Sequence, residues 1–521
     1  METELLSELK DVRRVIMQLP NAEEILFEKK RYASTPDITK LKDQQLEAFN
    51  ECAEFLNAPG GGMHLVRGYA GTGKTFTIGM IIEHYLSTKS CQIALTAPTN
   101  KAVKQLLKSS EFTHSNLKYA TIHSLLGLRE QIDNYGNQKF VQDKKNPPKI
   151  EEYQVLVIDE VSMLPDELFE MLLPYCSEFT ARIKKQPMFG DFGKIIGSDR
   201  GTRASSGLKI IFMGDPAQIP PVGKKDCLPF NEEARKKYNI GVSDLTEIVR
   251  QALDNPIIVE TMRVRDRLHA PVSFPTKNTR INDKGAGVVF FERGNPDHSE
   301  VVEEILELYF RSDNFKLNAD FMKVIAWRNK TVNYMNKWIR EKLYGEEAID
   351  RIVVGEKLIA NKPIFEGPMI IFNSNDELEV ISYKVDQEDI NQGQYVINYY
   401  ATMVRCVQPN GLEVDSIIKI VHNDSMHVYE EILDALKEVA KNKTQGTWEA
   451  GKAWQDYFGF MENFADVTYN YALTAHKAQG STYDNCLVLS QDLDANRNVV
   501  ERNRIKYTAL SRPRNLLFIV A

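Results

Sequence analysis

The segment that decides the fold is Gly68-Tyr69-Ala70-Gly71-Thr72-Gly73-Lys74-Thr75, which follows an apolar run at residues 63–66 and precedes a helical pattern. It fits the phosphate-binding pattern G-x-x-x-x-G-K-[ST] at every fixed position. The glycines allow backbone N–H groups to turn toward phosphate oxygens, the lysine reaches the β and γ oxygens, and the threonine hydroxyl can ligate Mg²⁺. The positive end of the following helix attracts the same anion. The sequence therefore predicts a nucleoside triphosphate site formed by Gly71, Thr72, Gly73, Lys74 and Thr75.

The composition is that of a multidomain protein that does not enter a membrane. The chain has 521 residues, of which 43% are hydrophobic, enough for several cores. No stretch approaches the roughly 20 apolar residues of a membrane span, and the N-terminus lacks a signal-peptide layout, so we expect a cytoplasmic protein that is not secreted. The six cysteines show no C-x-x-C pairing, which favours reduced thiols. A net charge of −7 argues against bulk coating of nucleic acid but permits a narrow basic channel.

From residue 39 onward, short apolar runs alternate with amphipathic stretches, a pattern typical of parallel-sheet α/β domains. Runs at residues 93–96, 155–158 and 210–213 predict strands of the sheet that carries the phosphate loop. A second set, at residues 324–327, 487–489 and 516–520, predicts another α/β lobe. The predicted domains are an N-terminal helical extension at 1–38, a first lobe at 39–244, a second lobe at 245–350 and 465–521, and an inserted β-rich domain at 351–464.

Two segments leave alternatives open. Residues 1–38 have apolar residues near helical spacing, which is compatible with a packed cap or with a helix that recruits another protein. Residues 182–203 contain six Lys/Arg, two Asp and four glycines, which is compatible with a solvated loop or with contact to a nucleic-acid backbone. The Asp191-Phe192-Gly193 triplet within this loop matches a kinase motif, but no H-R-D-type segment precedes it, so we reject that interpretation.

A strand that delivers two acids, Val155-Leu156-Val157-Ile158-Asp159-Glu160, follows the phosphate loop in the chain. Ligands of open α/β sheets bind at the carboxyl ends of the strands. Asp159 is the candidate Mg²⁺ ligand, and Glu160 is placed to orient or deprotonate the attacking water. A surface turn would explain the two acids alone, but in a chain with a phosphate loop we expect triphosphate hydrolysis.

The order of the remaining motifs resembles superfamily 1 helicases, in particular their Dda-like and RecD-like group. The resemblance covers residues 41–521, and only the last two segments are distinctive by themselves. The segments that carry it are, in chain order, Leu41-Lys42-Asp43-Gln44-Gln45, Thr96-Ala97-Pro98-Thr99-Asn100-Lys101-Ala102, Thr121-Ile122-His123-Ser124, Asp159-Glu160-Val161-Ser162-Met163, Gly214-Asp215-Pro216-Ala217-Gln218, Leu245-Thr246-Glu247-Ile248-Val249-Arg250, Tyr471-Ala472-Leu473-Thr474-Ala475-His476-Lys477-Ala478-Gln479-Gly480 and Tyr507-Thr508-Ala509-Leu510-Ser511-Arg512.

The resemblance implies two RecA-like lobes that use ATP and Mg²⁺. Gln45 would read the adenine edge, Gln218 would relay the γ-phosphate state, and Arg250 and Arg512 would be the arginine fingers that stabilise phosphoryl charge. The residues that it implies for single-stranded DNA are Pro98, Thr99, His123, Thr474, His476 and Lys477. Both histidines would otherwise be interpreted as satisfied core residues.

Between residues 128 and 142 the sequence predicts two strands around Asn134-Tyr135-Gly136-Asn137, which tolerate positive φ. In the family a β-hairpin at this place, the pin, splits the duplex, so we expect an inserted pin within 124–152. Tyr135 and Phe140 are the candidate wedge residues, although aromatic side chains that merely pack on the lobe are nearly as compatible with the sequence. The inserted domain at 351–464 resembles the SH3-like domain of the family.

Two functions of different classes remain open. The first is a DNA helicase that moves 5′ to 3′ on single-stranded DNA, acts at junctions of single- and double-stranded DNA, and works as a monomer in the cytoplasm of a bacterial or phage-infected cell. The second is a nucleotide-gated DNA-binding or loading ATPase without processive unwinding. Replication or recombination proteins are the expected partners. A motor subunit of a nuclease complex is a third option, although no paired-carboxylate nuclease motif is evident.

Overall fold

The computed structural model describes residues 36–109, 114–132, 138–142, 147–176, 207–221, 223–249, 254–275, 278–367, 369–390, 393–408 and 412–521. The chain divides into two compact units. The first unit comprises the described parts of Leu26–Gly127 and Lys145–Leu268. The second unit comprises the described parts of Leu128–Lys144 and His269–Ala521.

The described strands are, in chain order, β1 Gly62–Gly68, β2 Ile93–Ala97, β3 Leu117–Thr121, β4 Leu128–Ile132, β5 Gln138–Gln142, β6 Val155–Ile158, β7 Lys209–Gly214, β8 Ile240–Leu245, β9 Asn278–Ile281, β10 Gly287–Phe291, β11 Met322–Ala326, β12 Lys357–Ala360, β13 Ile364–Glu366, β14 Met369–Phe372, β15 Glu377–Ile390, β16 Tyr395–Val407, β17 Glu413–Val421, β18 Val467–Tyr469, β19 Ala472–Thr474, β20 Tyr483–Leu489 and β21 Pro513–Val520.

The described α-helices are α1 Asp43–Asn57, α2 Lys74–Thr88, α3 Asn100–Ser109, α4 Ile122–Leu125, α5 Asp166–Leu172, α6 Glu232–Tyr238, α7 Pro256–Arg265, α8 Pro296–Arg311, α9 Asp313–Leu317, α10 Asn329–Tyr344, α11 Met426–Lys441, α12 Trp448–Glu462, α13 Ala475–Ala478, α14 Ser490–Asp494 and α15 Val499–Leu510.

The first unit is built on a six-stranded parallel sheet of order β3-β2-β6-β7-β1-β8. Strands β2, β6 and β7 are buried along their whole length, as expected for apolar strands of a parallel sheet covered by helices. The predicted runs at 93–96, 155–158 and 210–213 are therefore confirmed as strands of the sheet that carries the phosphate loop. Because the strands are parallel, the segments that follow β1, β6 and β7 lie at one edge of the sheet.

The second unit repeats this arrangement with a sheet of order β19-β11-β20-β21-β10-β9, in which only the edge strand β9 is antiparallel. The predicted runs at 324–327, 487–489 and 516–520 correspond to β11, β20 and β21. Their buried side chains Val324, Leu487 and Phe518 belong to one hydrophobic core. The two strand orders match position by position, so β3 corresponds to β19, β2 to β11, β6 to β20 and β1 to β10. The α/β fold with parallel sheets flanked by helices is confirmed.

The boundary between the units differs from the expected start of the second lobe at residue 245. Strand β8 pairs with β1, and the chain after it stays bonded to the first unit. The Gln44 side-chain oxygen accepts from the backbone N–H groups of Thr246 and Glu247 at 2.7 and 2.9 Å. These long-range bonds hold the chain directly after β8 in the first unit, which extends to Leu268.

The second unit also contains an antiparallel sheet of order β17-β16-β15-β12-β18, followed in the chain after β17 by the helix pair α11 and α12. The region of the expected β-rich domain, 351–464, contains strands β12 to β17 and the helices α11 and α12, while the SH3-like assignment stays a prediction. Strands β4 and β5 form an antiparallel hairpin from Leu128 paired with Gln142 to Ile132 paired with Gln138. Strand β4 lies beside α12.

Four predictions fall outside the described residues: the helix within 1–35, the basic loop at 182–203, Tyr135 and Arg250. Within the described ranges, no helix has both the length and the apolar composition that a membrane crossing requires.

Candidate nucleotide and nucleic-acid site

The phosphate loop connects β1 to α2 and places its glycines where only glycine is unstrained. Gly71 and Gly73 have φ of 80° and 79°. Gly73 precedes the first residue of α2, and no side chain caps this end of the helix. The first backbone N–H groups of α2 are therefore available to an anion. Lys74 Nζ donates to the carbonyl oxygens of Gly68 and Tyr69 at 2.7 and 3.0 Å, which keeps the ammonium group over the loop.

Gln45, the predicted adenine reader, is held by the phosphate loop in this structure. Its Nε2 donates to the carbonyl oxygen of Thr72 at 3.0 Å, and its Oε1 accepts from the backbone N–H of Lys42 at 3.1 Å. The residue is only 5% exposed. Both ends of the amide thus fix the loop to the start of α1, and recognition of adenine stays a prediction.

The two acids after β6 lie at the same edge of the first sheet. The Asp159 N–H donates to the carbonyl oxygen of Thr96 on the neighbouring strand at 2.8 Å, and the Glu160 N–H donates to Asp159 Oδ1 at 2.8 Å. Glu160 has a positive φ of 51°, a strained conformation that is common at active sites. Burial, followed by the charge of Glu160, raises the pKa of Asp159 well above its usual range. Two adjacent carboxylates at a buried strand end fit a divalent cation, with Thr75 at the start of α2 as the other candidate ligand.

The segments after β7 and β8 complete this edge. Gln218 follows β7, is buried, and its backbone N–H donates to the carbonyl oxygen of Asp215 at 3.3 Å. After β8, the Val249 N–H donates to the carbonyl oxygen of Gly71 in the phosphate loop at 3.1 Å. Arg250, the next residue, lies outside the described residues, and its role as a finger stays a prediction.

Arg512, the other predicted finger, is bonded within the second unit. It is 5% exposed, and its Nε and Nη1 donate to the carbonyl oxygens of Thr508 and Ser481 at 2.9 and 3.0 Å. Its Nη2 donates to the Ser511 hydroxyl at 2.8 Å. These bonds use three of the five N–H groups of the guanidinium, and the role of Arg512 as a finger stays a prediction.

The predicted nucleic-acid residues occupy matching places in the two units. Thr121 at the end of β3 accepts the Ser124 N–H at 3.2 Å, and Thr474 at the end of β19 accepts the Lys477 N–H at 3.2 Å. Each threonine therefore caps a one-turn helix, α4 or α13, that carries a histidine at its second position. Burial lowers the pKa of His123 and of His476, which keeps both imidazoles neutral near pH 7.

The neighbouring strands reveal a repeat that sequence reasoning missed. After β2 the chain reads Ala97-Pro98-Thr99-Asn100-Lys101-Ala102-Val103, and after β11 it reads Ala326-Trp327-Arg328-Asn329-Lys330-Thr331-Val332. Both share the pattern A-x-x-N-K-x-V and open a helix, α3 or α10. Comparing the chain with itself around the predicted strands would have found this pattern.

The two copies of the repeat differ in the side-chain bonds around the start of the helix. Thr99 Oγ1 accepts the Ala102 N–H at 3.2 Å in the first unit. In the second unit, Asp492 accepts from the backbone N–H groups of Trp327 and Arg328 at 2.7 and 2.8 Å and from Arg328 Nε at 2.6 Å. The Arg328 side chain stays 55% exposed. The second copy therefore presents a positioned guanidinium, which the first copy lacks.

Lys477 and Phe140 lie next to the inserted elements of the second unit. Lys477 Nζ donates to Asn361 Oδ1 at 2.7 Å, and Asn361 in turn donates to Asp466 at 2.7 Å. These bonds connect α13 to the ends of β12 and β18.

Phe140, on β5 of the hairpin, is 45% exposed, as a wedge residue must be.

The fold and the site define a P-loop nucleoside triphosphate hydrolase. Residues 57–224 match the model of the AAA domain family, and residues 469–520 match that of the UvrD-like helicase C-terminal domain. These matches and the relatives agree with the order of the motifs, which is similar to that of superfamily 1 helicases of the Dda-like group.

Two relatives match over nearly their whole length. An uncharacterised protein of Acanthamoeba polyphaga mimivirus is 25% identical over 90% of this chain and 97% of its own. The ATP-dependent DNA helicase dda of Enterobacteria phage T4 is 26% identical over 87% of this chain and 93% of its own. Among solved structures, the Pif1 helicase of Candida albicans is 16% identical, covers 92% of this chain and 94% of its own, and has a TM-score of 0.47.

Proposed function

We propose that the protein is an ATP-dependent DNA helicase that moves 5′ to 3′ along single-stranded DNA and separates duplexes by hydrolysing Mg-ATP. The observation that carries this proposal is the duplicated pair of strand-end elements. Each unit presents an A-x-x-N-K-x-V segment and a threonine-capped histidine on neighbouring strands, while only the first unit has a phosphate loop. A motor that moves along a strand requires one nucleotide site and two similar contacts to the strand. The relative named a DNA helicase supports the proposal.

Each residue of the nucleotide site has a role in this proposal. Lys74 and the free N–H groups of α2 bind the phosphates, and Thr75 and Asp159 hold Mg²⁺, which neutralises charge on the β and γ oxygens. Glu160 accepts a proton from the attacking water or orients it. The γ-phosphate is contacted by the two fingers, Arg250 and Arg512, and its presence is relayed by Gln218.

The strand-end elements supply the nucleic-acid contacts. Pro98, Thr99 and His123 of the first unit and Thr474, His476 and Lys477 of the second bind the single strand through polar and apolar groups. Arg328 and Lys330, both exposed, add positive charge at the matching place in the second unit.

The deciding experiment compares partial duplexes that carry a 5′ or a 3′ single-stranded tail, with Lys74→Ala as the blank. We expect ATP-dependent strand separation on the 5′-tailed substrate alone. Separation confined to the 3′-tailed substrate would contradict the proposed direction. ATP hydrolysis stimulated by single-stranded DNA without separation of either substrate would instead favour a nucleotide-gated DNA-binding ATPase.

The wedge assignment has its own test. Replacing both Tyr135 and Phe140 with alanine should lower the unwinding rate about tenfold while DNA-stimulated ATP hydrolysis stays within about twofold, because stacking on a base contributes about 1–3 kcal/mol. Val141→Ala on the same strand is the control. Equal loss of both activities would contradict a wedge.

A further inference from the structure

Arg265, the last residue of α7, lies over the phosphate loop although it belongs to none of the motifs. Its Cζ is 4.5 Å from the centroid of the Tyr69 ring, a cation–π contact. Tyr69 is the second residue of the loop, and its carbonyl oxygen accepts from Lys74 Nζ. The loop residue that holds the lysine is therefore also covered by a second cation.

The guanidinium group of Arg265 is only partly satisfied. Its Nε donates to Asp266 Oδ1 at 2.8 Å, and Nη2 lies 2.8 Å from the same oxygen. Its Nη1 is buried and has no hydrogen-bond partner among the described residues. A buried N–H group without an acceptor is costly. Nη1 is therefore a donor that a rearranged phosphate loop can satisfy.

The acceptors of the Lys74 ammonium group in the phosphate loop depend on where this side chain points. Lys74 Nζ holds the carbonyl oxygens of Gly68 and Tyr69 in this structure. A lysine that turns toward phosphate oxygens leaves both carbonyls without this donor. The Tyr69 oxygen still accepts from the Thr72 hydroxyl at 2.8 Å and from the Thr72 N–H at 3.3 Å, so the Gly68 oxygen is the acceptor that this exchange releases.

We propose that Arg265 is a positioning residue of the nucleotide site, whose Nη1 donates to the released carbonyl of Gly68 when Lys74 engages the phosphates. Its stacking on Tyr69 holds the guanidinium group in place for this exchange. Arg265 thereby stabilises the nucleotide-bound form of the loop without touching the nucleotide.

This inference rests on the nucleotide-binding part of the proposed function and is independent of DNA unwinding. The β-phosphate, which draws Lys74 away from the loop, is common to ADP and ATP. Removal of the Arg265 side chain should therefore weaken the binding of ADP and of ATP to the same extent. An arginine finger, by contrast, acts on the γ-phosphate and would affect only ATP and its hydrolysis.

The test measures ADP and ATP affinity with fluorescent nucleotides, together with kcat and KM for hydrolysis. We expect Arg265→Ala and Tyr69→Ala each to lower the affinity for ADP and for ATP about tenfold, since a lost buried hydrogen bond has an effect of this order. The value of kcat should stay within about twofold of wild type. The double variant should bind nucleotide no more weakly than either single variant. Arg311→Ala is the matched control, because Arg311 also ends a helix and pairs with a carboxylate.

Several results would overturn the inference. Unchanged affinity in Arg265→Ala, or a loss confined to ATP and kcat, would contradict a positioning role. If Arg265→Ala does not fold, Arg265→Lys carries the test, since lysine keeps the charge but lacks the fork of N–H groups. Wild-type affinity in Arg265→Lys would also contradict the exchange. A wild-type protein that binds nucleotide without unwinding DNA would leave this inference standing and remove the helicase proposal.

Discussion

The two units build the same strand–loop–helix element and use it differently. In the first unit, β1 leads through the phosphate loop into α2, whose N-terminus has no side-chain cap. In the second unit, the corresponding strand β10 leads through a short loop into α8. There Asn295 Oδ1 accepts from the backbone N–H groups of Asp297 and His298 at 3.1 and 3.4 Å, and the first helical residue is a proline.

The difference shows that a few loop residues decide whether a helix end binds an anion. An open helix N-terminus leaves N–H donors that phosphate oxygens can satisfy, whereas an asparagine cap and a proline already account for these groups. The acids differ in the same way. Asp159 and Glu160 follow β6, but Ser490 and Gln491 follow the corresponding strand β20.

The largest expected effect comes from removing the positive side chain of each loop, which should matter only in the loop of the first unit. Lys74→Ala should lower ATP hydrolysis more than about 100-fold, because it removes a cation from the charge that develops on the phosphates. Its thermal unfolding should change little, since Lys74 bonds only to two loop carbonyls. Arg293→Ala, in the loop of the second unit, should leave turnover within about twofold. An equal loss in both variants would break the comparison.

The next effect concerns the acids. Glu160→Gln should lower kcat about 100-fold or more, the usual size of a lost general base, while ATP binding is retained. The matching Gln491→Ala should leave kcat unchanged. Loss of ATP binding in Glu160→Gln, measured by nucleotide titration, would show that this acid is structural instead.

A pair of glycines sharpens the comparison further. Gly73 and Gly294 have nearly the same φ, 79° and 78°, but a Cβ on Gly73 would clash with Gln45 Nε2, whereas a Cβ on Gly294 would meet no atom within 4 Å. Gly73→Ala should therefore weaken ATP binding, because the Gln45 amide must leave the loop and the loop carries the strain of a non-glycine residue at positive φ. Gly294→Ala should only lower stability by about 1 kcal/mol, the strain of a non-glycine residue at positive φ. Equal nucleotide affinity in the two variants would mean that the clash is relieved.

The smallest effect tests the cap of α8. Asn295→Ala should lower the free energy of unfolding by about 1 kcal/mol through loss of the side-chain acceptor, without changing ATP hydrolysis. The free energy of unfolding of Asn295→Ala, measured by chemical denaturation, is compared with that of Asn295→Asp. The aspartate keeps the side-chain acceptor and should retain wild-type stability. A stability equal to wild type in Asn295→Ala would show that the cap contributes nothing.

Much of the fold follows from local sequence. Apolar runs predicted strands in each of the two parallel sheets, because strands that are buried on both faces are apolar throughout. Val155–Ile158 in the first sheet is an example. The phosphate loop and the two acids were equally visible, since their chemistry needs adjacent residues. The Asn-Lys repeat was missed because it is recognisable only when the strands before it are known to correspond.

The remaining features depend on contacts between residues far apart in the chain. The bond from Gln45 Nε2 to the Thr72 carbonyl and the contact between Arg265 and Tyr69 have no local signature. The same holds for the first unit, which continues past residue 245 because Gln44 binds the chain after β8. The bonds that hold Arg512 inside the second unit likewise appear only when Ser481 is brought beside it.

The hairpin of β4 and β5 has a consequence for synthesis on the ribosome. It interrupts the first unit but belongs to the second, where β4 lies beside α12. Helix α12 begins at Trp448, about 300 residues after the hairpin ends at Gln142. At about 5–20 residues per second, the hairpin waits roughly 15–60 s for this neighbour to be made. A two-stranded hairpin is marginal in water by itself, so the nascent chain completes this element only near the end of translation.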